Sequence, residues 1–290
     1  MKRIITAFLA VLMIGTAALA TVSAATNKVD GRLTAEAYIA DIKVDGQIEA
    51  AWKDATVYNI ERVKTVSDTT FYKTTMKPGK DFASMTFKVL WDGKATMYIL
   101  IEVYDITPNL TGDKDQYKDC IEIFYNKDND NTPGAKKTNQ FRILADGTQN
   151  TSKKITCGYS KTKTGYVIEA ALDVSNSRGA DQYIGLDFQL ADNALGNGGI
   201  AEVYMGWSDV NNKASSDASV YGQCLLSTKK LSEVKAAQTT AATTKAQTTA
   251  ATTKAPATKP TSPATFDAAV IIAVVAAASG AGVVVPKKRK

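Results

Sequence analysis

The sequence contains no histidine in 290 residues. That absence removes Ser-His-Asp and Cys-His nucleophile systems, imidazole-ligated zinc or haem, and the commonest general base, so any catalysis would fall to carboxylates, lysine or tyrosine. Cysteine is nearly as scarce. Cys120, Cys157 and Cys224 are an odd number without metal-ligand spacing; they allow one disulfide at most and favour free thiols. Long apolar runs are missing except at the two ends. The middle also lacks the surplus of basic charge that a net +6 implies. Ten of the 35 basic residues but only one of the 29 acidic residues lie before Lys28 or after Val234, leaving 25 basic against 28 acidic between them. A nucleic-acid partner needs a clustered basic face, and this distribution excludes one as the expected ligand.

What the ends do contain predicts export and retention. Met1 to Ala24 has the order of a secretory signal peptide: Lys2 and Arg3, an apolar stretch from Ile4 to Leu19, then small residues at Val22-Ser23-Ala24. An uncleaved N-terminal membrane helix is the alternative, and both export the chain. Ala268 to Val285 is an apolar run of 18 residues. As a helix it would be ~27 Å long, close to the ~30 Å of a bilayer core. Lys287-Lys288-Arg289-Lys290 follows, which the positive-inside rule keeps in the cytoplasm. Residues 263–290 resemble the C-terminal sorting signals of Gram-positive surface proteins, with Ser262 and Phe266 standing where such signals carry Leu and Gly. Retention by a transmembrane helix and processing at the cell wall are both open. Residues 235–262 read as a disordered tether. Ala237 to Lys254 is two copies of Ala-Gln-Thr-Thr-Ala-Ala-Thr-Thr-Lys, a composition that builds a spacer rather than a core.

Residues 26–234 remain for a folded head. From Met85 the residues alternate, with Met85, Phe87, Val89 and Trp91 on one face, then Asp92-Gly93, then Met97, Ile99, Ile101 and Val103. This predicts a hairpin over residues 85–104 with a tight Asp-Gly connection. The same period recurs at Ile121 to Tyr125, Phe141 to Ile143, Tyr166 to Ile168, Ile184 to Leu190 and Val203 to Trp207. Short strands separated by Asn, Asp, Gly and Lys clusters predict an all-β, antiparallel, jelly-roll-like β-sandwich. One short helical turn is expected at Ile48 to Trp52. Trp52, Trp91 and Trp207 all sit on apolar periodicity and are expected in the core.

Several strings carry a resemblance. Ile42-Lys43-Val44-Asp45-Gly46 leading to Trp52, Lys88-Val89-Leu90-Trp91-Asp92, Asp119-Cys120-Ile121-Glu122-Ile123-Phe124, Gln140-Phe141-Arg142, Gly165 to Ala171, Ile184 to Gln189, and Trp207-Ser208-Asp209 with Tyr221-Gly222 occur in the order found in family 9 carbohydrate-binding modules. The match runs over residues 40 to 227. It implies a non-catalytic β-sandwich, often attached to xylanases, that holds the end sugar of a β-glucan or xylan between two tryptophan rings. An aromatic face stacks on the C–H face of a pyranose while carboxylate, Arg and amide groups bond its hydroxyls. Carried over by position, Glu122 and Arg142 are the sugar-bonding pair, Gln189 and Asn212 further polar ligands, and Tyr117 the first aromatic wall. Ser215 stands where the second tryptophan belongs. The resemblance also implies structural calcium, for which Asp128 and Asp130 in Asp128-Asn129-Asp130-Asn131 offer oxygen ligands; a solvated turn is the other reading of that loop.

From the residues alone, a Glu122–Arg142 ion pair between neighbouring strands serves equally well as structure. No carboxylate spacing singles out an acid and a nucleophile for glycoside hydrolysis. The expected function is therefore carbohydrate binding without catalysis by an extracellular head anchored at a Gram-positive surface, with plant-wall polysaccharide or oligosaccharide as ligand and separate hydrolases as further partners. The alternative is a surface structural or protein-interaction module whose sugar site has decayed.

Overall fold

The computed structural model describes residues 28–64, 77–150, 152–193 and 203–239. The predicted signal segment, the anchor over residues 263–290 and the tether beyond residue 239 lie outside these. No described helix is long and apolar enough to cross a membrane.

Among the described residues the chain forms thirteen strands: β1 (Lys28–Val29), β2 (Arg32–Ile39), β3 (Tyr58–Ile60), β4 (Arg62–Val63), β5 (Ser84–Trp91), β6 (Thr96–Tyr104), β7 (Cys120–Asn126), β8 (Asn139–Leu144), β9 (Thr156–Lys161), β10 (Gly165–Asp173), β11 (Tyr183–Asp192), β12 (Val203–Gly206) and β13 (Gly222–Lys230). A short helix α1 (Ala50–Asp54), a helix α2 over residues 231–239 and two 3₁₀ turns, Asp115–Tyr117 and Ala218–Val220, complete it. One layer runs β8-β7-β11-β12-β4 and the other β9-β10-β6-β5-β2, with β13 bridging β2 to β11 at the corner. Between them lies one apolar core that includes Phe87, Ile99, Ile101, Ile121, Ile123, Phe188, Leu190 and Trp207. These are the alternating positions expected to point inward, and period-two burial of large apolar residues is what drives the layers together.

The predicted hairpin forms, but its connection is four residues long rather than a two-residue turn. The Asp92 carboxylate accepts from the main-chain N–H of Lys94, Ala95 and Thr96, which stabilises the longer loop while Gly93 takes φ +77°. The expectation of a wholly antiparallel sandwich is corrected at one place. β2 enters between β13 and β5 and pairs parallel with both. Its inward residues include Ala35 and Ala37, so it carries little of the large-apolar signal that reveals a strand. The three tryptophans are core residues, exposed by 0%, 1% and 5% for Trp52, Trp91 and Trp207. All three cysteines are free.

The predicted helical turn lies slightly later than expected, at Ala50–Asp54. It is fastened by Glu169 of β10, which accepts from the Trp52 indole (2.7 Å) and from the N–H of Gly46 (2.8 Å) and Asp45 (3.1 Å). Gly46 is required at φ +82°, and a Cβ there would lie 2.7 Å from the Tyr159 nitrogen of β9. Residues 235–239, assigned to the tether by composition, continue α2. Leu231 packs on the Trp52 cluster and Lys235 pairs with Asp54 at 2.6 Å.

Candidate functional site

The outward face of the β7–β11 layer carries the polar residues. On β7 the core takes Ile121, Ile123 and Tyr125, which turns Cys120, Glu122, Phe124 and Asn126 to the other side. Strand register then sets one row across the layer: Arg142 faces Glu122, Glu122 faces Gln189, and Gln189 faces Gly206. Three of the five residues expected to bind ligand are thereby brought together. Glu122 Oε1 accepts from Arg142 Nη2 (2.6 Å) and Nε (3.0 Å) and from Gln140 Nε2 (2.8 Å), and its Oε2 accepts from Gln189 Nε2 (2.8 Å). The Glu122 side chain is 4% exposed and that of Arg142 is 19%, with Arg142 Nη1 unbonded among the described residues. The carboxylate is thus held from both flanking strands, β8 and β11, and the half-buried guanidinium keeps one donor group, Nη1, free.

Behind Gln189 stands a residue that sequence reasoning did not select. Lys64, fully buried, gives its ammonium to Gln189 Oε1 (2.6 Å) and to Asp209 Oδ2 (3.1 Å). Its stem crosses Gly206, where a Cβ would approach Lys64 Cε to 2.7 Å and the Asp209 carbonyl oxygen to 2.3 Å. Glycine at 206 is what lets the lysine reach the row. Asp209 in turn accepts from the N–H of Asn211, Lys213 and Ala214, shaping the loop that carries Asn212. Burial pulls the Asp209 carboxyl upward, but Lys64 and these N–H donors outweigh it and the group sits below its ordinary range. Asp187, two residues before Gln189 on the same face, is pushed up to about 6 by burial, against the opposing pull of Lys64 and of three main-chain donors.

The other two expected ligands lie on flanking loops and make no bond to this row. Tyr117 closes a 3₁₀ turn, Asp115–Tyr117, that is tied to β12 by the Tyr204 hydroxyl donating to the Gln116 carbonyl (3.1 Å). The half-buried phenol ring carries the Lys114 ammonium at 5.5 Å from its centre. Asn212 is exposed at φ +55°. Ser215 is exposed as well, and its carbonyl accepts from the Lys137 ammonium. Asp128 and Asp130 lie apart from the row, at the far end of β7. Asp128 pairs with Lys127 (2.9 Å), and Asp130 Oδ1 accepts from the N–H and hydroxyl of Thr132.

Gln140 was legible as the residue two before Arg142 on the same strand face. Lys64 carried no such signal, because a lysine after a two-residue strand reads as surface.

This geometry is accompanied by a family match. The model described as carbohydrate family 9 binding domain-like matches residues 44–229. The chain belongs to that family. It is a carbohydrate-binding module, and a non-catalytic one. Endo-1,4-beta-xylanase C of Paenibacillus barcinonensis is 31% identical to the module over 193 residues, which is 64% of this chain and 16% of that enzyme. Exoglucanase XynX of Acetivibrio thermocellus is 27% identical over 203 residues, 68% of this chain and 17% of that protein. The chain thus spans about a sixth of the length of the curated relatives it matches. Among solved structures, the family 9 module of Caldicellulosiruptor kristjanssonii in complex with cellotriose shares the fold at TM-score 0.54 and 17% identity, covering 68% of this chain and 94% of that one; its complex with glucose matches equally, at TM-score 0.54.

Proposed function

We propose that this family 9 module binds β-linked glucan or xylan, or their oligosaccharides, on the outward face of the β7–β11 layer. The observation that carries the reading is the pre-organised row in which buried Glu122 is satisfied by Arg142, Gln140 and Gln189 while the Arg142 edge stays open. A fixed carboxylate and guanidinium at one point are what discriminate sugar hydroxyls from water. Asn212, on the loop set by Asp209, and Tyr117, once the Lys114 ammonium moves aside, are the flanking contacts. The names of the relatives, a xylanase and an exoglucanase, point to plant-wall chains as the ligand class. With the N-terminal signal and the C-terminal apolar run, the reading is a head tethered outside a Gram-positive cell that holds polysaccharide within reach of separate hydrolases.

Calcium belongs to this proposal. Asp128 and Asp130 have their carboxylates engaged locally; Asp105, Asp119 and Asp192 are buried and accept from main-chain N–H groups, Thr107 to Asp105, Asn109 and Asn193 to Asp119, and Ala83 to Asp192, which leaves further lone pairs of Asp105 and Asp119 for an ion. Burial and its neighbours Asp192 and Asp105 push the Asp119 carboxyl up to about 8, and the Asn193 Oδ1 beside it is buried without a partner. Buried carboxylates with an orphan amide oxygen are the donor set that suits calcium.

A second reading, a structural or protein-binding module, is favoured by Ser215 in place of an aromatic wall and by the ammonium already over the Tyr117 ring. Calorimetric titration of the full chain with cello- and xylo-oligosaccharides, with and without calcium, separates the two. Saturable binding that falls at least tenfold in Arg142→Ala supports the sugar site, and silence across the series supports the alternative. Thermal unfolding with a chelator is expected to fall below that with calcium.

A further inference from the structure

The same sheet face continues past the Glu122 row and ends in a second polar concavity. Along β11, Gln189, Asp187, Gly185 and Tyr183 alternate with core residues, so Tyr183 shares the outward face six residues from Gln189, ~20 Å along a strand. Between the two regions the apolar group of Phe124, Tyr221, Ala135, Ala214 and Ala218 covers the sheet. Beyond it opens a cleft of about 430 Å³ lined by Asp128, Asn129, Asp130, Arg178, Gln182 and Tyr183. This volume lies within the range of small-ligand sites.

The walls are rigid. Buried Asn126 accepts through Oδ1 from the N–H of Asp128 (3.1 Å) and Asp130 (3.0 Å) and donates to the Lys136 carbonyl (2.7 Å), which fixes the turn. Asn129 is locked at φ +53° by Arg32, which donates to its Oδ1 at 2.8 Å, and by its own bond to Gln223 at 3.0 Å. On the opposite wall, the main chain at Asp181 and Gln182 is tied to Leu226 of β13. Half of the side chains that line the cleft are uncommitted, while Asp128 pairs with Lys127. The side chains of Arg178, Gln182 and Tyr183 make no hydrogen bond or ion pair among the described residues, and Asp130 keeps its Oδ2 free.

The donor set decides the ligand. Carboxylates alone would take a cation, and a guanidinium alone an anion. A guanidinium, two carboxylates, the one free amide of Gln182 and one half-buried phenol ring together complement a neutral ligand that donates and accepts at many points and has one apolar face. We infer that this cleft is a second carbohydrate subsite, with Tyr183 as its stacking surface and Arg178, Asp128 and Asp130 as its hydroxyl partners. The inference rests on the carbohydrate reading of the module but not on the Glu122 row. Two subsites on one face are engaged by one long chain, so linkage between them raises affinity for long oligosaccharides over short ones.

The test is ¹⁵N NMR and calorimetry on the full chain with cellohexaose and xylohexaose. Amide signals of residues 127–130 and 178–183 are expected to shift with sugar, and to shift still in Arg142→Ala. Tyr183→Ala is expected to abolish those shifts, leave the shifts at Glu122 and Gln189, and weaken hexaose binding about tenfold. Unmoved cleft signals at saturation of the Glu122 row overturn the second subsite alone. Cleft signals that respond to calcium chloride and not to sugar also overturn it, in favour of a metal loop. If neither region responds to any sugar, both this inference and the proposed function fail. The cleft side chains of Tyr183 and Arg178 are not part of the core, so Arg178→Ala serves as a second variant whose amide spectrum reports intact folding.

Discussion

Among the described residues two glutamates are buried, on opposite layers, and they are used in opposite ways. Glu169 accepts from two main-chain N–H groups and the Trp52 indole, all of them fixed donors. Glu122 accepts only from side chains, Arg142, Gln140 and Gln189, the first two of which are only half-buried. Fixed donors close a loop permanently onto a strand, whereas side-chain donors can turn toward a ligand without disturbing the main chain. Burial of an acid therefore marks a clasp in one layer and a recognition element in the other, and the donors tell them apart.

Four measurements break or sharpen that contrast. Lys64→Met has the largest expected effect because it strands Asp209 in the interior; the loss is ~4 kcal/mol, seen as a fall of about 10 °C or more in thermal unfolding. Asn212 loses its support at the same time, so sugar affinity falls with stability. Next is the pH response of the recognition layer. Asp187 has a folded value of about 6, above its ordinary 3.8, so the native state binds the extra proton. Stability is then highest below pH ~4 as far as this group is concerned, falls as pH rises to about 6, and is level above, with a total of ~3 kcal/mol. Urea midpoints across that window should show the slope, and Asp187→Asn should flatten it. Glu169→Gln keeps the shape but turns an amide N–H₂ toward N–H donors. A cost of ~2 kcal/mol is expected, with sugar binding unchanged. A parallel loss of binding would erase the distinction between the two glutamates. The smallest effect is a gain: Ser215→Trp supplies a second aromatic wall and should tighten oligosaccharide binding roughly fivefold, about 1 kcal/mol.

The two layers also differ in how much of them the amino-acid order reveals. Strands β5, β6, β7 and β11 alternate large apolar with polar residues and are legible as they stand. β2 and much of β13 are not, because Ala35, Ala37 and Cys224 occupy buried inward positions with small side chains that carry little of the large-apolar alternation. Within the site, Glu122, Arg142 and Gln189 were selected through family resemblance; the structure adds that one register row joins them. Tyr117 occupies a loop whose placement depends on a distant partner, the Tyr204 hydroxyl, and Asn212 a loop folded around the Asp209 carboxylate three residues before it. Lys64 was hidden because its burial depends on a glycine 142 positions away, at Gly206.

The parallel placement of β2 between β13 and β5 has a temporal consequence. A strand formed by residues 32–39 waits for residues 223–230 before one of its edges is closed, so the outer seam of the sandwich is made by contacts nearly as long-range as the head allows. A chain that emerges N-terminus first from synthesis leaves that edge open until almost the whole head has been made. The last strand, β13, then seals the second, β2, and the head becomes complete only when residues 223–230 are in place.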